Sequence, residues 1–159
     1  MAGGALLALD LGQRCGWAIR LPESRLASGV WLCGREKHED DAAPFLKFRS
    51  YLTEAKQRCD RLGQPITRIR YEKLTFVVNG HTATSAYHWG AFWGLLLHWA
   101  GHHRIECEGF HVATIKKRMT GSGRADKDAV IRAVRQRGYE PRDHNEADAL
   151  ALALISERG

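Results

Sequence analysis

The run Ala5-Leu6-Leu7-Ala8-Leu9-Asp10-Leu11 is apolar at every position but one. A strand that is apolar on both faces belongs inside a parallel or mixed sheet with a layer packed on each side, so the chain is expected to fold in layers around it. Asp10 is the exception. A carboxylate in such a strand needs a charged partner or a metal, because an uncompensated charge taken out of water is costly.

The rest of the chain supplies the layers. Gly16 to Arg20 and Gly29 to Cys33 read as strands that follow the first in an antiparallel meander, and Arg68 to Leu74 and Arg104 to Gly109 read as two more. Helical spacing predicts helices over Ala42 to Arg61, with Phe45, Leu46, Phe48, Leu52 and Ala55 apolar, and over Thr84 to His102. Further helices are expected over Val112 to Thr120, Lys127 to Arg137 and Asn145 to Glu157. A meander followed by alternating strands and helices makes an α/β fold, a mixed five-stranded sheet flanked by helices on both faces. With 159 residues and 44% hydrophobic content, one domain over 1–159 is the expectation.

Composition narrows the setting. Lys and Arg number 24 against 18 Asp and Glu, a net charge of +6, which leans toward a polyanionic partner. Cys15, Cys33, Cys59 and Cys107 form no CxxC pair, and no secretory leader precedes them, so neither a disulfide framework nor a zinc ribbon is indicated. A reducing cytoplasm is the expected compartment. The longest apolar stretch, Ala91 to Ala100, is interrupted by His98 and falls well short of the roughly 20 residues that span a bilayer, so no membrane is expected.

Two more acids stand where Asp10 can meet them. Glu72 lies in the strand Ile69-Arg70-Tyr71-Glu72-Lys73-Leu74, and neighbouring strands are about 4.8 Å apart. Asp148 and Asn145, three residues apart, share one face of the last helix. Close carboxylates repel unless one is protonated or a cation lies between them. Oxygen ligands of this kind suit Mg²⁺ or Mn²⁺, and two such ions suit hydrolysis of a phosphodiester. Ordinary roles compete: Glu72 alternates with Arg70 and can pair with it, Asp148 is favoured by the helix dipole, and Asp10 can cap a turn.

Leu7-Ala8-Leu9-Asp10-Leu11-Gly12 with Gly16-Trp17-Ala18, then Tyr71-Glu72-Lys73-Leu74, then Val112-Ala113-Thr114-Ile115-Lys116-Lys117 with Thr120-Gly121 and Ala125-Asp126-Lys127, then Glu146-Ala147-Asp148-Ala149-Leu150-Ala151, occur in that order. This ordered set resembles the RuvC family of Holliday-junction resolvases, within the RNase H-like superfamily, and the compact length is more similar to its phage-type members. The resemblance implies a homodimeric, Mg²⁺-dependent crossover junction endodeoxyribonuclease, with Mn²⁺ as the alternative metal and two ions per site. It implies that Asp10, Glu72 and Asp148 are the metal-binding and catalytic acids. Asn145 stands at the fourth catalytic position, where many members have an acid. An amide oxygen can ligate a hard cation but brings no charge. Asp143 is the available substitute, whereas Glu146 faces elsewhere on the helix.

For the partner, branched DNA, the candidate contacts are Lys116, Lys117, Arg124 and Lys127 around the loop Gly121-Ser122-Gly123, with Phe76 as a base-stacking or wedging residue. A solvated helix end and a core phenylalanine are the plain alternatives. The Thr84 to His102 helix is apolar nearly all round, and Ala86, Gly90 and Gly94 recur every four residues, which suits close packing on the sheet or across a dimer axis. His144 sits beside the acids and can orient a water or a phosphate, while His98, His102 and His103 are expected at the surface. Alternatives to DNA junction resolution are a nuclease of this fold acting on structured RNA and a non-catalytic junction-binding protein. The setting implied is bacterial cytoplasm or nucleoid.

Overall fold

The computed structural model describes residues 3–74 and 83–156. Five strands, β1 (Ala5–Asp10), β2 (Arg14–Arg20), β3 (Leu26–Leu32), β4 (Ile66–Glu72) and β5 (Glu106–Phe110), form one sheet in the order β3-β2-β1-β4-β5. The first three pair antiparallel with one another, while β4 lies parallel to both β1 and β5. Five helices complete the chain: α1 (Ala43–Arg61), α2 (Ala83–His102), α3 (Val112–Thr120), α4 (Lys127–Gln136) and α5 (His144–Leu154).

The alternation of β1 divides the core in two. Ala5, Leu7 and Leu9 pack with Phe48 and Leu52 of α1 and Phe92, Leu96 and Trp99 of α2 on one face. Ala8 faces the other side, where Ile115, Val130 and Val134 meet the apolar residues of α5. This is the expected mixed sheet with helices on both faces. The α1 stripe Pro44, Phe48, Leu52, Ala55 and Cys59 recurs at three and four residues, as one buried helical face requires. Leu46, read as part of that stripe, is instead exposed, since it lies two residues from both Pro44 and Phe48 and so on the opposite side of the helix.

Alanines at 147, 149, 151 and 153 are all buried in α5. Small side chains let that helix lie close on the sheet, and Gly16 of β2 touches the α5 backbone at Asn145 with no space for a Cβ. At the far end Arg70 of β4 is almost fully buried, and its guanidinium donates to the carbonyls of Leu152 and Ile155 at 2.8 and 2.9 Å. A buried charge is tolerable there because orphan helix carbonyls accept from it. The last helix is thereby fixed at both ends.

Some boundaries differ from expectation. β3 begins at Leu26, three residues before Gly29, since Leu26 pairs with Arg20 at the hairpin. Ala27, Ser28 and Gly29 are poor strand formers and hid the extension. The last helix stops at Leu154, where Arg70 takes its final carbonyls, rather than reaching residue 157.

Candidate metal centre

Asp10 and Glu72 are the last residues of β1 and β4. These strands are parallel neighbours with Ala8 paired to Arg70 and Leu9 to Tyr71, so both acids fall one step further, at the same carboxyl edge. Side chains alternate along a strand, so Asp10 shares the face of Ala8 and Glu72 that of Arg70, the face on which α5 packs. Asp148 comes down from α5 to meet them. One carboxylate oxygen from each of Asp10, Glu72 and Asp148 lies within 4.8 Å of the other two.

The N-terminal turn of α5 is built to hold that position. Asp143 is its cap, accepting from the Glu146 N–H at 2.9 Å, and it also accepts from the Arg14 guanidinium at 2.9 Å. Burial pushes the Asp143 carboxyl up, but the Glu146 N–H and Arg14 together hold it below the usual carboxylate range. Asp143 is therefore engaged as a cap and outside the three-acid cluster. Glu146, 4% exposed, points away from the cluster and accepts from the Ser28 hydroxyl at 2.8 Å and the Arg142 N–H at 2.9 Å.

The electrostatics are those of a site prepared for cations. Burial, then Asp148 and Glu72, push the Asp10 carboxyl well above its usual range. Burial and Asp148 push Glu72 up to about 7, against the pull of Lys116 and Lys127. Asp148 is pushed up to about 6 by burial, with Lys127, His144 and Lys116 opposing. Arg70, the ordinary ion-pair candidate for Glu72, donates its guanidinium to the carbonyls of Leu152 and Ile155, while Asp148 acts on Glu72 as a like charge. Three carboxylates held this close are an all-oxygen donor set that fits a hard divalent ion.

The acids open into a pocket of about 450 Å³, whose walls include Asn145, Lys116, Lys127 and Trp89. Asn145 thus joins the acids, as its spacing from Asp148 led one to expect. Lys127 is the first residue of α4, placed by its cap Asp126, which accepts from Ala129 N–H at 2.7 Å. The basic segment divides: Lys116 and Lys127 line the pocket, whereas Lys117 and Arg124 are exposed outside its lining. Phe76 lies outside the described residues. Sequence reasoning missed Trp89 as a pocket residue and Ser28 and Gly16 as supports of α5. The half-buried position of Trp89 on an otherwise apolar helix gave no signal.

Solved structures share this architecture. Thermus thermophilus RuvC matches with a TM-score of 0.72 and 20% identity, over 94% of this chain and 90% of that one. The structure of T. thermophilus RuvC in complex with a Holliday junction substrate matches at 0.77 and 22%, with the same coverage of both chains. The fold is that of the RuvC resolvases. The yeast mitochondrial Holliday junction resolvase Ydc2 has a TM-score of 0.61 at 10% identity, over 93% of this chain and 76% of that one. No protein-family model and no curated protein matches the sequence. Within the RuvC fold, the acid cluster of this chain occupies the carboxyl edge of the central parallel strands. Among the described residues no helix is long and apolar enough to cross a membrane.

Proposed function

We propose that this chain is a structure-selective endodeoxyribonuclease that resolves four-way or branched DNA junctions by metal-dependent hydrolysis, with residues 1–159 forming one nuclease domain. The carrying observation is the convergence of Asp10, Glu72 and Asp148 in one pocket with Lys116 and Lys127, on a RuvC fold. Asp10, Glu72 and Asp148 would hold Mg²⁺ or Mn²⁺, with Asn145 giving a neutral oxygen to the second ion. Such ions would supply Lewis-acid activation of a water and charge stabilisation for an in-line displacement at a phosphodiester. Lys116 and Lys127 hold the non-bridging phosphate oxygens, and Lys117 and Arg124 meet the backbone further along the strand. A bacterial cytoplasm or nucleoid is the setting for such a substrate.

A junction has two strands to cut, and a second copy of the chain supplies the second site. The α2 face fits this role: Tyr87, Trp93 and Leu97 are 79, 37 and 38% exposed, and Gly90 and Gly94 have open space where a Cβ would stand. Those glycines therefore do not serve packing on the sheet, the first of the two roles their spacing suggested. Packing across a two-fold axis is the other.

The test uses labelled four-way junction, linear duplex and structured RNA, each with Mg²⁺ or EDTA, alongside Asp10→Asn. Paired nicks on the junction, absent in EDTA and in the variant, are expected. Cleavage confined to RNA, or tight junction binding with no nicking in any metal, would replace this reading with one of its alternatives.

A further inference from the structure

The pocket around the acids is only partly polar. Leu11, Leu74 and Trp89 line it together with Asp10, Glu72 and Asp148. Trp89 packs against the core on the α1/α2 side of the sheet, whereas Ile115 and Val130, also in the lining, belong to the core on the α3/α4 side. The pocket thus crosses the carboxyl edge of the sheet from one face to the other. Trp89 is half-buried, and its ring stacks on that of Trp93 at 5.7 Å between centroids and 25° between planes. Trp93 in turn is 37% exposed.

Hydrolysis at the acids uses none of this aromatic surface. Core packing accounts for the buried part of Trp89 but not for a ring that forms a wall of a charged pocket. The two kinds of wall match the two parts of a nucleotide: lysines and metal-binding acids suit a phosphate, and a flat aromatic face suits a base. Paired bases inside a duplex present no open face, so the base must be unstacked, as at a branch point.

We propose that Trp89, backed by Trp93, is the stacking platform for an unpaired nucleobase flanking the phosphate that lies over Asp10, Glu72 and Asp148. This rests on the nuclease reading above. Trp89 acts on the grip and placement of the strand, since an indole offers neither a metal ligand nor an acid or base to the reaction. Stacking is sequence-tolerant, so the platform selects for an open base rather than for its identity.

The experiment places 2-aminopurine beside the nicked phosphate of a four-way junction and measures its emission with the Asp10→Asn protein, which should bind without cutting. Stacking on tryptophan should quench the emission, and Trp89→Leu should restore it. In the cutting protein, Trp89→Leu should raise KM by about 5- to 150-fold, the range that the loss of one stacked base gives, with kcat little changed. Trp89→Phe keeps an aromatic face and should recover most of the loss, which a purely structural role would not require. Unquenched emission in the complex, or an unchanged KM in a folded Trp89→Leu protein, overturns the platform while leaving junction cleavage intact. A protein that neither binds nor nicks the junction overturns the platform and the nuclease reading together.

Discussion

Gly16 and Asn145 meet backbone to backbone, with no room between them for even a methyl group. Gly16 also pairs with Asp10 across the β1–β2 ladder. One glycine thus sets the distance between the strand that bears the first acid and the helix that bears the third. Gly16→Ala has to push α5 off the sheet, since the neighbour is main chain and cannot rotate aside. The expected cost is about 1–3 kcal/mol of stability or more, with nicking reduced further than stability explains. Thermal denaturation and junction cleavage, measured on the same preparation, check this.

Asp10→Asn, Glu72→Gln and Asp148→Asn should each lower nicking by more than about 100-fold, the upper end for losing a mere supporting contact to a metal ligand. Each should also raise the melting temperature of the metal-free protein near pH 8, because one member of a repelling cluster is neutralised. Loss of activity with gain of stability is the signature of a functional cluster. Loss of both would mean that the acids hold the fold together.

The raised carboxyls make stability depend on pH in a definite direction. Glu72 and Asp148, at about 7 and about 6, bind protons more tightly folded than unfolded, and Asp10 is displaced in the same sense. The stability they contribute is therefore complete below about pH 4 and is lost as pH rises to about 7. Asp143, displaced downward, contributes stability that is present throughout that window and is lost only as pH falls below it. Metal-free protein should melt at a higher temperature near pH 5 than near pH 8, and Mg²⁺ should reverse the order. Differential scanning fluorimetry across pH with EDTA or Mg²⁺ reads both slopes.

Asn145→Asp adds a fourth carboxylate to the pocket lined by the three acids. The variant should need less Mg²⁺ for half-maximal nicking, by several-fold, and be less stable without metal near pH 8. Metal titrations of cleavage, with calorimetry of Mn²⁺ binding, check this. An unchanged requirement would show that the Asn145 side chain takes no part in holding metal.

Glu146 spends its buried carboxylate on the Ser28 hydroxyl and the Arg142 N–H. Glu146→Ala leaves both donors unmet and should cost about 1–3 kcal/mol. Glu146→Gln can still accept from Arg142 N–H and donate to Ser28, so it should retain most of the stability. Chemical denaturation of the two variants separates a need for hydrogen bonds from a need for charge.

The sheet and the three acids were legible in the sequence because each acid interrupts an apolar pattern: Asp10 and Glu72 in strands, Asp148 on an alanine-rich helix. Asn145 followed from helical spacing alone. What escaped was contact between residues far apart in the chain whose types are common in other roles. Gly16 reads as the start of a strand, Ser28 falls just outside the expected third strand, and Arg70 reads as a partner for Glu72, whereas it closes the C-terminus of α5. The basic segment showed its charge but not its division, since only the fold brings Lys116 and Lys127 into the pocket and leaves Lys117 and Arg124 outside its lining.

The three acids come from the first strand, the fourth strand and the last helix, at residues 10, 72 and 148. While the chain is still being synthesised, a ribosome-bound product that ends before residue 148 carries two of these acids and lacks the third. On the nuclease reading, a cut-competent site would therefore wait for the last helix to be made and docked on the sheet.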